Sequence, residues 1–192
     1  AVEADAVAFL HRVAKGKRVQ LYLEERTRNR FGEWLAHAAV KRIGAPDLWL
    51  QGALLLEGLA RVYTSFGNHG LAGEMLALEA NARAAGIGLW QQPLYAVRAP
   101  VDLEEAIGSF QVVEGNVLAA AVTGSRVYLN FGKDWRKDFT LMIERGHVRR
   151  FSGGLRGLRM LAGKRIRVRG WVFSLNGPAI RADHGGMIEV LR

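Results

Sequence analysis

The sequence predicts an α+β protein of two domains, the second of which is an OB-like β-barrel. The first half combines apolar residues at helical spacing with two alternating, strand-like segments. After Pro93 and Pro100 the chain consists mainly of short alternating segments. Their order is three strands, a Gly- and Arg-rich stretch and two further strands, which is the order of an OB barrel. With 192 residues, of which 49% are apolar, the chain can form packed cores.

The first domain begins with a helix and a β-hairpin. Residues 2–14 carry apolar side chains at helical spacing and predict the helix. Residues 17–23 alternate and predict the first strand. Its inward-facing side chains are predicted to be Val19, Leu21 and Leu23. The chain then turns at Gly32, and residues 34–40 predict the second strand.

Two further helices complete the first domain. Asp47 is a favourable N-cap, so the apolar run after it predicts a helix over residues 48–63. A second run predicts a helix over residues 71–85, which is closed by glycines. The predicted boundaries are residues 1–92 for the first domain, 93–103 for a linker and 104–192 for the OB-like domain.

The charge of the chain favours an acidic partner. The net charge is +9, and the excess is concentrated in residues 99–192, which hold 15 basic and 9 acidic side chains. Such an excess favours polyanions such as nucleic acid or an anionic membrane surface. A soluble basic protein without such a ligand is the alternative interpretation.

Several kinds of site and location are excluded by the composition. The chain has no cysteine, which excludes disulfides, thiolate metal ligands and a cysteine nucleophile. The five histidines are scattered without ligand spacing, so no metal site is predicted from this chain. No apolar run approaches the roughly 20 residues that a membrane-spanning helix needs, so no span is predicted.

Four runs in the first domain resemble a known family. They are "GKRVQLYL", "RTRNRFGEWLAHA", "WLQGALLLEGLARVY" and "LALEANARAAGIGLW", in that order. Their order and spacing over residues 4–90 resemble the C-terminal two-thirds of a staphylococcal-nuclease-like (SNase, thermonuclease-family) domain, an OB-related barrel with helices. The resemblance implies a Ca-dependent phosphodiesterase that acts on DNA or RNA. It also implies an exported or periplasmic location.

The turn of the hairpin departs from the family pattern, which is Asp-Arg/Lys-Tyr-Gly-Arg. Asn29 and Phe31 stand at the Asp and Tyr positions, and Glu33 stands at the position of the catalytic Arg. A fixed cation there would stabilise the charge that develops on the phosphate, whereas a carboxylate repels it. The hypothesis is therefore a degenerate or weak nuclease. In the alternative, Glu33 merely pairs with Arg28 or Arg30 on the surface, and the chemistry is done elsewhere.

The resemblance also covers only part of the family's domain. In the family, the calcium-binding aspartates, a second Arg and the general base lie before the first helix, where this chain begins. The expectation is that upstream residues have been removed or that another chain completes the first barrel. On this view no cofactor is held by this chain alone, and calcium binds only if upstream residues supply the site.

The candidate nucleic-acid-binding residues lie in both domains. Alternation places Arg126 and Tyr128 on the outer face of one strand. On another strand the outward residues are predicted to be Arg165, Arg167, Arg169 and Trp171. Arginines interleaved with aromatic rings suit single-stranded nucleic acid, because cations contact phosphates and rings stack on bases. An ordinary solvated strand face and an acidic protein partner remain alternatives. In the first domain the candidates are Arg28, Arg30 and Tyr63. The resemblance implies the role of Tyr63, because it lies near the position of the family's nucleotide-contacting tyrosines.

These observations predict a thermonuclease-like protein that binds nucleic acid, single-stranded for preference, with weak or no Ca-dependent phosphodiester hydrolysis. The alternative is a non-catalytic accessory or assembly protein that uses both folds for docking to other proteins.

Overall fold

A computed structural model describes residues 2–191 of the chain. The chain divides into two compact units, residues 1–95 and 96–192, which we describe separately. Within residues 2–191, no helix is both long enough and apolar enough to cross a membrane.

The N-terminal unit packs helices against a small antiparallel sheet. Its elements are α1 (Val2–Ala14), β1 (Val19–Arg28), β2 (Trp34–Val40), β3 (Leu48–Trp49), α2 (Leu50–Leu56) and α3 (Ala72–Ala84). The strands follow the order β1-β2-β3. Between α2 and α3 a small core forms around Leu55, Val62 and Met75. The predicted helix–hairpin–helix order of this unit is therefore present in the structure.

The β1–β2 hairpin leaves an apolar row partly open. Val19, Leu21 and Leu23 pair with Val40, Ala38 and Ala36 of β2. These β1 side chains were predicted to face inward and so to be buried. That prediction is wrong, because they are 39%, 48% and 48% exposed. The physical reason is that β1 lies at the edge of the sheet and pairs only with β2 among the described strands.

The predicted helix over residues 48–63 is shorter in the structure. It ends at Leu56, and the chain reverses at Gly58, whose φ of +64° is left-handed. The backbone of Gly58 packs directly against that of Ile87, with no room for a Cβ atom between them. The amide of Leu89 donates to the carbonyl of Gly58 at 2.8 Å. The amides of Gly58 and Leu59 donate to the carbonyls of Leu55 and Leu54, so a local glycine cap ends α2, and the contact with residues 87–89 packs against this cap.

Asp47 does not cap α2, contrary to the prediction. The N-cap position is Trp49, which provides no side-chain hydrogen bond. The Asp47 carboxylate instead accepts from Lys41 Nζ at 2.6 Å across the loop between β2 and β3. The hydrogen bond from Lys41 holds the pKa of Asp47 below its ordinary value. In turn, the hydrogen bond to Asp47 raises the pKa of Lys41.

The C-terminal unit is a mixed β-sheet domain with one short α-helix. Its elements are β4 (Phe110–Asn116), β5 (Ala119–Thr123), β6 (Arg126–Asn130), β7 (Thr140–Glu144), α4 (Gly154–Arg159), β8 (Arg165–Leu175), β9 (Gly177–Ala182) and β10 (Ile188–Val190). The core contains fully buried aliphatic side chains from successive strands, among them Val127, Leu129, Leu141, Ile143, Ile166, Val168 and Ile180. Val127, Leu129, Ile166 and Val168 thus point to the core, and they alternate along β6 and β8 with the residues that were predicted to face outward.

The strand path defines the topology of this unit. The order is β10-β8-β9-β7-β6-β5, and β4 pairs with β8. Strands β7 and β9 are parallel, whereas the other pairs are antiparallel. Strands β4 and β5 follow each other in the chain but are not joined by a ladder between the described residues. No closed barrel was detected in residues 96–191, and the structure shows a mixed β-sheet domain where an OB-like β-barrel was predicted.

Short 3-10 helices occupy much of the segment predicted as a linker. They comprise Pro93–Tyr95 and Pro100–Asp102. Leu103, at the end of this segment, is completely buried and belongs to the core of the C-terminal unit. The last part of the predicted linker is therefore anchored by apolar packing.

Candidate nucleic-acid interface

The turn between β1 and β2 is organised by Asn29. Its Oδ1 accepts from the backbone amides of Phe31 at 2.9 Å and Glu33 at 3.0 Å. Its backbone amide donates to the carbonyl of Glu33 at 3.0 Å, and the amide of Gly32 donates to the carbonyl of Asn29 at 3.1 Å. Asn suits such a turn because its short side chain bonds to the backbone two residues further on.

Asn29 also positions the Glu33 carboxylate. The Asn29 amide Nδ2 donates to Glu33 Oε2 at 2.6 Å. The sequence suggested Arg28 or Arg30 as the partner of Glu33, but these guanidiniums lie elsewhere. Arg28 stacks 3.8 Å from the centre of the Trp34 ring and also donates to the carbonyl of Gly32. Glu33 is therefore fixed within the turn by a neutral partner, and it adds a negative charge to an exposed surface.

The tip of the hairpin presents cations on aromatic rings. The guanidinium of Arg30 lies 4.7 Å from the centre of the Phe31 ring. Phe31 is 72% exposed and Trp34 is 55% exposed. Both arginines are exposed as well. We call this surface, formed by Arg28, Arg30, Phe31 and Trp34, the hairpin tip.

Tyr63, the remaining candidate of the N-terminal unit, is 65% exposed. It lies in the extended segment between α2 and α3, whereas the other candidates lie on the hairpin. The backbone amide of Arg26 donates to Asn68 Oδ1, and Asn68 Nδ2 donates to the backbone carbonyl of Arg26. These two hydrogen bonds join β1 to the loop that follows Tyr63. The sequence candidates of this unit thus fall into the hairpin tip with Glu33 and a separate exposed tyrosine.

The described residues do not fit a calcium site by themselves. Ca²⁺ takes six to eight oxygen ligands, most of them from carboxylates, carbonyls and water. Within residues 2–191, no group of three or more His, Cys, Asp or Glu side chains is placed to hold a metal ion.

The row of arginines on β8 is largely engaged in ion pairs. Arg165 and Arg167 each lie 2.6 Å from the carboxylate of Glu114 on β4. Arg167 and Arg169 contact Glu189 on β10, at 3.3 Å and 2.6 Å. The side-chain exposure falls along the row from 63% to 14% to 2%.

The predicted outward exposure of this row is therefore wrong for Arg169 and mostly wrong for Arg167. The physical reason is that β8 is an interior strand, flanked on one side by β4 and on the other by β10. Each neighbour brings a glutamate opposite an arginine, so that opposite charges pair across strands. Arg165 keeps an exposed side chain, but it shares Glu114 with Arg167.

Trp171 continues the same strand outside this ion-pair network. It is 60% exposed and makes an edge-to-face contact with Phe110, its partner on β4, with ring centres 6.2 Å apart. Its exposure agrees with the predicted outward direction. The arginines and Trp171 lie on one strand, but the structure does not present them as one continuous cationic and aromatic surface.

Arg126 and Tyr128 are neighbours on β6. The Arg126 Nε donates to Glu144 Oε1 at 3.2 Å. The Tyr128 hydroxyl and then the Glu144 carboxylate raise the pKa of Arg126. Tyr128 is half-buried because its ring lines a cleft on the sheet surface.

This cleft includes residues that the sequence analysis missed. It has a volume of about 360 Å³ and is lined by the rings of Tyr128 and Trp135, the amides of Asn130 and Asn176, and smaller neighbours. We call it the aromatic cleft. Trp135 is 53% exposed at the centre of the loop "GKDWRKD". A tryptophan flanked by charges between two strands is the sequence signal that would have identified it.

A second concentration of charge lies in residues 145–164, which we call the basic segment. Between Glu144 and Asp183 the chain contains no acidic residue. The exposed cations of the segment are Arg145, Arg149, Arg156, Arg159 and Lys164. Arg156 and Arg159 are three residues apart on α4 and so lie on neighbouring positions of one helix face.

Comparison with known proteins identifies the N-terminal unit. Residues 3–92 match the family model described as "Staphylococcal nuclease homologue" (SNase). The C-terminal domain is not assigned to a family by this comparison. The search of curated proteins gives no match. Residues 3–92 of this chain are therefore an SNase domain, a member of the staphylococcal nuclease (thermonuclease) family.

Proposed function

We propose that the protein binds nucleic acid, preferring single strands, and that its SNase domain hydrolyses phosphodiesters weakly or not at all. The observation that carries this proposal is the state of the hairpin turn. Glu33, at the position where the resemblance places a catalytic Arg, is exposed and held at 2.6 Å by Asn29. The turn keeps an ordered geometry but carries the opposite charge.

The charge reversal acts on the transition state more than on binding. Negative charge grows on the phosphate oxygens during hydrolysis, and a fixed cation stabilises it. Loss of a single such group typically costs about 10²–10³ in rate. A carboxylate adds repulsion to that loss. By contrast, ground-state binding depends on the summed contacts with the backbone, which other cations supply.

Two surfaces support binding. The hairpin tip offers two exposed guanidiniums over exposed rings. The basic segment offers five exposed cations with no acidic residue between them. Cations that contact phosphates and rings that stack on bases are the combination by which single strands are bound without sequence preference.

The proposal is tested by cleavage of labelled single-stranded DNA and RNA, with calcium and with chelator, using the natural full-length protein. We expect weak or no Ca-dependent cleavage by the unmodified protein. We expect the double variant Asn29→Asp/Glu33→Arg to exceed it by at least about 10²-fold, since it restores a cation and an acidic partner at the turn.

The control is Glu25→Arg, which makes the charge change of Glu33→Arg at an exposed position of β1. If this control activates as strongly as the double variant, the effect is general electrostatics and the assignment of position 33 is wrong. Ca-dependent cleavage by the unmodified protein at rates that Glu33→Gln does not change would also contradict the proposal.

The second candidate function is a non-catalytic accessory protein that docks to other proteins. The observation in its favour is the partly exposed apolar row of Val19, Leu21 and Leu23 on β1. Rows of this kind at a sheet edge can pair with another chain. The two functions differ in the salt dependence of binding to the partner.

For nucleic acid, we expect affinity for a single-stranded oligonucleotide to fall steeply between low and physiological salt. Each phosphate neutralised contributes about 0.7 to the slope of log K against log salt for single strands. Fluorescence anisotropy over a salt series measures this slope. The double variant Arg156→Ala/Arg159→Ala should lower it by about 1.4 if both cations contact phosphates. A nearly flat salt series would instead favour an interface with an apolar centre.

We also propose a fold for the C-terminal unit. We infer that residues 104–192 form an OB-like domain, which follows residues 1–92 and a linker over residues 93–103. Its support is the strand order, the parallel pairing of β7 with β9 and the antiparallel pairing of β4 with β8. Strand β4, which pairs with β8, is followed directly in the chain by β5, the last strand of the path.

A further inference from the structure

The aromatic cleft lies on the solvent face of strands β5, β6 and β7. Ala121 stands opposite Tyr128, and Asn130 stands opposite Thr140. The intervening residues of these strands point to the other face, where they form the fully buried core. Small side chains at the floor leave space above the sheet. The cleft is thus a surface depression of the C-terminal unit and not a packing defect of its core.

The walls of the cleft come from two connections. One is the loop from Gly132 to Asp138, which supplies Trp135, and the other is the β8–β9 connection, where Leu175 ends β8 and Asn176 forms the turn. Asn176 has a φ of +64°, a conformation that Asn adopts more readily than most residues. Strands thus supply the floor, and two separate turns supply the ring and the amide above it.

The lining suits a planar, uncharged ligand group. It consists of aromatic, aliphatic, hydroxyl and amide side chains, and its volume of about 360 Å³ lies at the small end of the range for ligand sites. Aromatic rings stack on flat groups, and the amides of Asn130 and Asn176 both donate and accept hydrogen bonds. A phosphate would find no cation within this lining, whereas a nucleobase matches each of its components.

Cations accompany Trp135 on its loop. Lys133, Arg136 and Lys137 are exposed on the loop that carries Trp135. The guanidinium of Arg136 lies 4.8 Å from the centre of the Trp135 ring. Arg126 is two residues from Tyr128 on the same face of β6, although Glu144 pairs with it. A base in the cleft would therefore have its flanking phosphates near positive charge.

The loop that carries Trp135 is internally fixed. The carbonyl of Asp134 accepts from the amides of Lys137 and Asp138 at 2.9 Å and 2.8 Å. The side chains of the two aspartates accept from the amides of Arg136 at 3.1 Å and Asp134 at 2.8 Å. Gly177, the first residue of β9 after this turn, lies so close to the carbonyl of Lys137 that a Cβ atom on it would overlap that carbonyl. The two walls are thus held together. The exposed Trp135 ring therefore loses little conformational freedom when a ligand binds.

We propose that the aromatic cleft binds one unpaired base of a single-stranded nucleic acid. The base stacks on the rings of Trp135 and Tyr128, its polar edge faces Asn130 and Asn176, and the flanking phosphates lie near the loop cations. This inference rests on the proposed nucleic-acid binding and assigns its base-recognising part to the C-terminal unit. It names Trp135 as the principal stacking residue.

The test compares two labelled probes in the full chain, an oligothymidylate of about twelve nucleotides and an abasic oligomer of the same length. We expect Trp135→Ala to weaken binding of oligothymidylate by about 5- to 150-fold, as loss of one stacked base does, and to leave binding of the abasic oligomer unchanged. Trp135→Phe should restore most of the affinity. Val190→Ala, which removes an exposed apolar side chain elsewhere in the unit, is the control and should change neither affinity.

A photocrosslink gives a readout that a purely structural effect would not produce. An oligomer with 5-iodouracil should crosslink to the peptide that contains Trp135. Equal affinity of the unmodified protein for both probes, with no effect of Trp135→Ala, would overturn the cleft assignment but leave nucleic-acid binding standing. Failure to bind either probe at low salt would overturn the proposed function itself. Displacement from the cleft by an uncharged oligosaccharide, with no effect of oligothymidylate, would assign the cleft to a different ligand class and overturn the inference.

Discussion

Replacing Glu79 with alanine is expected to lower the free energy of unfolding of the N-terminal unit by about 3–5 kcal/mol. Glu79 lies on α3 and is fully buried. Its Oε2 accepts from the backbone amide of Val62 at 2.6 Å, and its Oε1 accepts from Arg83 Nη1 at 3.1 Å. Removal of the carboxylate leaves the buried amide of Val62 without this acceptor and takes the negative partner away from Arg83. Glu79→Gln should cost less, because its amide oxygen still accepts one bond.

Urea denaturation, together with hydrogen exchange at the Val62 amide, measures this effect within the N-terminal unit. The exchange readout is local, so it does not require the two units to unfold together. Glu74→Gln is the matched control, because Glu74 lies in the first turn of the same helix and is exposed. It should change the stability by less than about 0.5 kcal/mol, as surface substitutions do. Equal effects of Glu79→Ala and Glu74→Gln would show that the buried carboxylate does not stabilise the packing of Val62 on α3.

Replacing Gly58 with alanine is the second change with a large expected effect. A non-glycine residue at a φ of +64° costs about 1 kcal/mol. In addition, the new Cβ would overlap the carbonyl oxygen of Ile87, so the backbones of the two segments must separate. Forced overpacking of this kind costs roughly 1–3 kcal/mol more. We therefore expect a total loss of about 2–4 kcal/mol in the free energy of unfolding.

Gly86 provides a control that separates the two causes. Its φ is +60°, nearly the same as that of Gly58, but a Cβ atom built on it meets nothing within 4 Å. Gly86→Ala should therefore show the conformational cost alone, about 1 kcal/mol. Thermal and urea unfolding of both variants measure the difference. If the two substitutions destabilise equally, the close approach between Gly58 and Ile87 contributes nothing.

The hairpin and the helix after it show which features a sequence can predict. Strand β2 was predicted over residues 34–40, and the structure has it at Trp34–Val40, because alternation and a turn glycine are local signals. The helix predicted over residues 48–63 ends at Leu56 instead. Its apolar spacing continues further, but the left-handed Gly58 caps it, a local signal that the apolar pattern outweighed in the prediction. The close approach of Gly58 to Ile87, by contrast, joins two segments that no local pattern relates.

The arginines of β8 show the same limit at the candidate site. Alternation assigned them to one face, but it could not show that Glu114 and Glu189 lie opposite them. These partners come from strands about 50 residues before and about 20 residues after, and their pairing depends on strand register. The aromatic cleft was missed for a related reason, since its residues come from four strands and two turns. Periodicity identifies faces, whereas clefts depend on which turns fold over them.

The contact between Asn29 and Glu33 implies that the two positions are epistatic. At 2.6 Å the amide of Asn29 donates to the carboxylate, so the pair is complementary as it stands. Arginine at position 33 alone would turn one donor toward another, and aspartate at position 29 alone would bring two carboxylates together. Both single steps weaken the turn, whereas the double change restores an acceptor facing a donor. Contacting residues are often non-additive in this way. A neutral amide beside an acid is thus a local optimum, and two coordinated substitutions separate it from a turn that bears a cation.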